Sequence, residues 1–192
     1  IDDKKQIKPW LKGDDEYHFI HIDLAAKKDA CGFAMGRPDG YDEIDGEKRP
    51  RVYMDLLMQI KAPEGGEIQF SDIRQIIYTL QDRGFKIHKV TYDRWQSIDS
   101  IQILKNKGIE AETLSVDRDN EAYDTLKEML HTKRFNCYYY ETFAKEYQRL
   151  ELVKGKKVDH PQGGSKDVAD AVAGVCYNIA DYMSNLKTFD VW

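Results

Sequence analysis

Aromatic and β-branched residues dominate YHFIHIDLA, Tyr17 to Ala25, and predict a strand. Period-two alternation puts Tyr17, Phe19, His21 and Asp23 on one face and His18, Ile20, Ile22 and Leu24 on the other. Lys27, Lys28 and Asp29 read as a polar turn, and Ala30 to Gly36 as a second, antiparallel strand. RPDGYDEIDGEKRP, with two prolines and two glycines, reads as a long polar hairpin tip. Arg51 to Ala62 returns as a third strand, in which Val52, Met54, Leu56, Met58 and Ile60 alternate.

After Gly65 and Gly66 the period becomes helical. Ile73, Ile76, Ile77 and Leu80 form a stripe, with Ser71 as candidate cap and Gly84 as stop. Phe85 to Asp93 reads as a fourth strand and Ile109 to Val116 as a fifth. Helices are expected over Ser97 to Asn106, Asn120 to Lys133 and Thr142 to Val153, with a short sixth strand or extended piece at Phe135 to Tyr140. KGKKVDHPQGG reads as a flexible basic loop, after which Ser165 opens a last helix running to about Met183. An antiparallel meander followed by alternating strands and helices predicts an α/β fold: a mixed central sheet with helices on both faces. Ligands in such sheets gather outside the strand ends.

The 192 residues suit one such domain. A formal net charge of -5 argues against a protein that clamps nucleic acid along a whole face. It leaves room for a cleft in which cations neutralise carboxylates. Cys31, Cys137 and Cys176 show no zinc-ligand spacing and suit a reduced protein. No signal peptide is apparent, nor an apolar run long enough for a membrane span. Residues 1–16 read as a charged lead-in, 17–183 as the folded domain and 184–192 as a tail.

Acidic residues break the apolar pattern at three places. Asp23 lies late in the first strand, Asp93 ends the fourth, and Asp170 lies one turn into the last helix with Asp167 on the same face. Taken singly, Asp167 could complement a helix macrodipole and Asp93 could open a turn. Asp23 within a strand and Asp170 beyond the first turn, beside Ala173 and Gly174, have no such ready explanation. Converging carboxylates repel one another unless a hard cation offsets the repulsion. Two such ions can support phosphodiester hydrolysis. HExxH, EF-hand, Gly-rich phosphate-loop and GxSxG motifs are all missing. His21, His160 and Trp95 read as structural, and Tyr138 to Tyr140 as a half-buried strand.

HIDLA, TYD and HPQGGSKDVADAVAG together resemble the nuclease domain of the large terminase subunit of tailed bacteriophages, over about Tyr17 to about Tyr182. The third stretch is the most specific. The resemblance implies a ribonuclease H-like fold and a metal-dependent endonuclease that cuts concatemeric double-stranded DNA with Mg²⁺ or Mn²⁺. By it, Asp23, Asp93 and Asp170 would be the catalytic acidic triad and Asp167 a supporting metal ligand, with Asp23 shared between two ions. It also implies a portal ring, a small terminase subunit and a separate ATPase domain as partners, in the cytoplasm of an infected bacterium. No GxxxxGK[ST] occurs, so no ATP site is expected in this chain, and the lead-in would follow that ATPase. Lys154, Lys156, Lys157, Lys166, Lys27 and Lys28 flank the acids and are expected to contact DNA phosphates, with Lys48, Arg49 and Arg51 at the hairpin tip. Two alternatives stay open: another ribonuclease H-like nuclease, such as a junction resolvase or transposase-like enzyme, or a non-catalytic portal-docking module.

Overall fold

A computed structural model describes residues 11–24, 30–93, 97–153 and 157–189. Strands β1 (Tyr17–Asp23), β2 (Cys31–Ile44) and β3 (Glu47–Ile60) form the expected antiparallel meander. Helix α1 (Phe70–Asp82) leads to β4 (Lys86–Tyr92), parallel to β1, and α2 (Ile98–Asn106) leads to β5 (Glu110–Thr113), parallel to β4. Helix α3 (Glu121–His131) precedes β6 (Phe135–Cys137), which runs parallel to β3 on the opposite edge. The order across this six-stranded mixed sheet is β5-β4-β1-β2-β3-β6. Helix α4 (Glu141–Gln148), a separate hairpin of β7 (Glu151–Val153) and β8 (Lys157–Asp159), and α5 (Asp167–Phe189) complete the chain.

The alternation along β1 sends its side chains into two cores. Ile20, Ile22 and Leu24 meet Ile73, Ile77 and Leu80 of α1 and Leu104 of α2. Phe19 joins Leu126 of α3, Phe143 of α4 and Val168, Val172, Val175 and Ile179 of α5 on the other face. Both faces of the central strands are therefore dry, as helices on both sides require. Behind the sheet centre, Asn178 Nδ2 donates to Thr91 Oγ1 at 2.7 Å, and His21 Nδ1 lies 2.7 Å from the same oxygen. Burial pushes the His21 pKa down to about 3, so the ring is neutral and structural.

Several elements differ from the sequence reading. The supposed hairpin tip is strand: β2 and β3 pair as far as Ile44 and Glu47 around a two-residue turn at Asp45 and Gly46, both with positive φ. Asp-Gly is the natural sequence for that turn. Pro38 and Gly40 are accommodated by a register shift between Pro38 and Tyr41. The basic loop is partly ordered, because Lys157–Asp159 pairs with Glu151–Val153, which leaves α4 shorter than expected. Ser71 lies inside α1 and Gln69 holds the cap position. Helix α5 runs past Met183 to Phe189.

Helix α5 lies very close to the sheet. A Cβ on Gly174 would come within 2.3 Å of the His21 ring, and one on Gly32 would come within 1.8 Å of the Asp167 carbonyl oxygen. The second contact is backbone against backbone, which no rotamer change relieves. Gly32→Ala is expected to destabilise the protein by about 2 kcal/mol, the scale of overpacking a tight contact. Denaturant unfolding checks this, and an unchanged midpoint would contradict the close docking.

Candidate functional site

Strands β1 and β4 are parallel neighbours, so they end at the same edge of the sheet. Asp23 is the last residue of β1, and the Asp93 N–H donates to the Ile22 carbonyl at 3.1 Å, one step beyond β4. The two acids therefore stand side by side. Gly32 lies directly across the β1–β2 ladder from Asp23, and over it sits the Asp167 carbonyl at the start of α5. One turn on, α5 presents Asp170 to the same place. Asp23, Asp93, Asp167 and Asp170 line one cleft of about 640 Å³, together with Asp117, His160, Ser165 and Lys166.

These are buried carboxylates: Asp23 is 6% exposed, Asp93 8% and Asp170 3%. Burial, reinforced by the charges of Asp170, Asp93 and Asp167, pushes the Asp23 pKa up to about 8 against the opposing pull of Lys166. Burial likewise lifts Asp170 to about 6, although Lys166 and the Tyr123 hydroxyl both favour its ionised form. Tyr123 donates to Asp170 Oδ1, and the Val116 N–H donates to Asp93 Oδ1 at 3.1 Å. Lys166 Nζ donates to Asp170 Oδ2 at 2.7 Å, Asp170 Oδ1 at 3.0 Å and Asp117 Oδ1 at 2.5 Å. Burial works to discharge this ammonium, but the two carboxylates outweigh it and hold its pKa above the ordinary lysine value.

The donor set is of the kind a hard divalent cation takes, because every candidate ligand is a carboxylate oxygen and the aspartates lining the cleft outnumber its lysines, Lys61 and Lys166. One cation, the Lys166 ammonium, already lies against Asp170. Among the described residues, no group of three or more His, Cys, Asp or Glu side chains is placed so that it could hold a metal ion as it stands. The acids line one cleft without forming such a group.

The same fold occurs in solved phage proteins. The large terminase nuclease domain of Thermus phage P74-26 matches with a TM-score of 0.62 at 15% identity, covering 84% of this chain and 78% of that one. The large terminase nuclease of thermophilic phage G20c, solved with bound magnesium, matches with a TM-score of 0.60 at 16% identity, covering 86% and 83%. The large terminase of bacteriophage HK97 matches with a TM-score of 0.61 at 11% identity, over 85% of this chain but only 40% of that protein. The chain has the ribonuclease H-like fold of the large terminase nuclease domains. No protein-family model matches the sequence, and no curated protein matches it by sequence.

Within this terminase nuclease fold, several cleft residues escape sequence reasoning. Glu146 of α4 is the true cap of α5: its Oε2 accepts from the Val168 and Ala169 N–H groups, each at 2.9 Å. Ser165, the expected cap, lies beside it, with Oγ 2.9 Å from Glu146 Oε1 and 2.8 Å from Asp167 Oδ2. A cap from another helix leaves no local signal. Asp117 lies in the stretch beyond β5, as Asp93 lies directly after β4, and that looser likeness was readable. So was the i,i+4 spacing of Lys166 and Asp170.

The lysines expected to contact DNA fare unevenly. Lys27, Lys28, Lys154 and Lys156, and Trp95 with them, lie outside the described residues. Lys157 stands half-exposed at the rim, 3.3 Å from Asp117 and 3.7 Å from Asp159. Lys166 lines the cleft and is buried in its ion pairs. At the hairpin, Arg49 pairs with Glu128 and Glu47, and Arg51 with Asp42 and Asp39.

Glu146→Ala is expected to cost about 2 kcal/mol, the upper range for losing a helix cap with charge-assisted hydrogen bonds. Amide hydrogen exchange at Val168 and Ala169 should accelerate selectively. Unchanged exchange at those two amides would remove Glu146 from this role.

Proposed function

We propose that this chain is the metal-dependent endonuclease domain of a viral DNA-packaging terminase, hydrolysing double-stranded DNA with little sequence specificity. The observation that carries the reading is the convergence of Asp23, Asp93, Asp167 and Asp170 on one strand-end cleft in a chain with the terminase nuclease fold. These four residues would hold Mg²⁺ or Mn²⁺. Bound divalent ions supply Lewis-acid stabilisation of the charge that develops on a phosphoryl group and lower the pKa of water.

The chain's own residues supply the setting. Tyr123 and the Val116 amide fix Asp170 and Asp93, so the ligands are held before any substrate arrives. Glu146 orders the turn that carries Asp167 and Asp170. Burial keeps water from screening the acids, so ionising all of them together is costly until cations offset their charge. A phosphodiester approaches such a site only once that charge is offset. Lys157 at the rim, together with Lys27, Lys28, Lys154 and Lys156, would steer the DNA backbone through phosphate contacts. Among the described residues, no helix is long and apolar enough to cross a membrane. In this reading the domain works in the cytoplasm of an infected bacterium with an ATPase domain, a portal ring and a small terminase subunit.

Plasmid cleavage tests the proposal. Cutting is expected with Mg²⁺ or Mn²⁺, none with EDTA, and Asp23→Asn should lower the rate by about a hundredfold or more, the scale of losing one key electrostatic group. Its unfolding midpoint should not fall, because burial and the neighbouring acids already disfavour the ionised form of Asp23 and the amide is a neutral side chain of the same shape. Wild-type cutting by Asp23→Asn would overturn the site, and a strong preference for four-way junctions over linear duplex would move the reading to a resolvase.

A further inference from the structure

Lys166 was the one basic residue inside the cleft expected to serve DNA, and its geometry points elsewhere. Its ammonium bonds both oxygens of Asp170 and one oxygen of Asp117, at 2.5–3.0 Å. Its side chain is 8% exposed and that of Asp170 is 5% exposed, so solvent does little to screen the pair. Lys166 also directly precedes α5, the positive end of the helix macrodipole, where a cation is disfavoured. The helix therefore gives no reason for a lysine here, whereas the acidic cluster does. Its ammonium lies over the Tyr123 ring, 5.8 Å from the centroid, on the residue whose hydroxyl also holds Asp170.

We propose that Lys166 is a built-in counter-cation that competes with divalent metal for Asp170 and so sets the metal concentration at which the site loads. The inference rests on the divalent-metal reading of the cleft. The ammonium occupies both Asp170 oxygens, at least one of which a metal ion at this carboxylate would need. Asp117 gives the displaced ammonium a second partner, so it can leave Asp170 without becoming a buried unpaired charge. Asp117 is itself 30% exposed and faces Lys157, which puts this second position at the rim, away from Asp23. In the cation-free protein Lys166 lowers the repulsion among the acids, and in the loaded protein that task passes to the metal.

Calorimetric titration of Mn²⁺ into the wild type, Lys166→Gln and Lys166→Met tests this without an activity assay. Lys166→Met keeps a long apolar stem over Tyr123, in case the glutamine disturbs folding. Both variants are expected to bind Mn²⁺ about tenfold more tightly than the wild type. Their melting temperatures should fall below wild type in EDTA and recover most of the loss in Mn²⁺. Lys166→Arg, which keeps the charge, should bind like the wild type or more weakly. Equal or weaker binding by both neutral variants, with the wild type binding normally, would overturn the role of Lys166 alone. Failure of the wild type and both neutral variants to bind Mn²⁺ would instead overturn the metal reading, and this inference with it.

Discussion

The Asp167 carbonyl lies so near Gly32 that any β-carbon there would sit 1.8 Å from its oxygen, and Asp23 occupies the facing position of the ladder. The cleft follows from that contact. A larger residue on β2 would lift the first turn of α5 away from the sheet and carry Asp167 and Asp170 away from Asp23 and Asp93. Gly174 repeats the constraint further along α5, against the His21 ring. The small residues of this helix are therefore a requirement of distance. They let a carboxylate-bearing helix lie directly on the ends of two carboxylate-bearing strands.

Such closeness creates an electrostatic difficulty that the surrounding residues only partly resolve. Like charges in a dry site cost several kcal/mol unless paired, or else they take up protons. Both responses are visible: the Asp23 and Asp170 pKa values are driven up, while Lys166, Tyr123 and the Val116 amide supply partners. Asp23 has the larger shift of the two and three neighbouring carboxylates acting on it. This also makes a net charge of -5 compatible with the proposed function. In the proposed function a cleft of acids would repel a phosphodiester on its own and accept it only through bound cations.

The architecture was legible wherever the hydrophobic period was long. The alternation of β1, the stripe of α1 and the order of strands and helices all survive in the structure, because packing two cores against one sheet dictates those periods. The acids stood out for the converse reason: Asp23 occupies a position where the pattern calls for a buried apolar side chain. The outer half of the β2–β3 hairpin was hidden because Pro38, Gly40 and Pro50 carry loop chemistry, while the pairing that tolerates them depends on a partner strand. Glu146 was hidden because its two amide donors belong to a different helix. Lys166 was visible as a charge but not as a buried one, since burial depends on Asp117 arriving from the end of β5.

At 11–16% identity, the likeness to the phage terminases fixes the path of the backbone and leaves the side chains to speak for themselves. What they say concerns cost. A strand-end Asp, a second strand-end Asp and two helical Asp residues could each be replaced by neutral side chains with less repulsion and easier burial. A sequence free to maximise stability would not gather them at one edge of the sheet. Local choices that oppose folding and converge in space mark a place where stability has been given up for chemistry. The apolar stripes and tight glycine contacts around the cleft favour the fold, whereas the four aspartates inside it oppose it. That contrast, more than any single residue, is why the cleft rather than the hairpin or the aromatic surface is read as the working part of this protein.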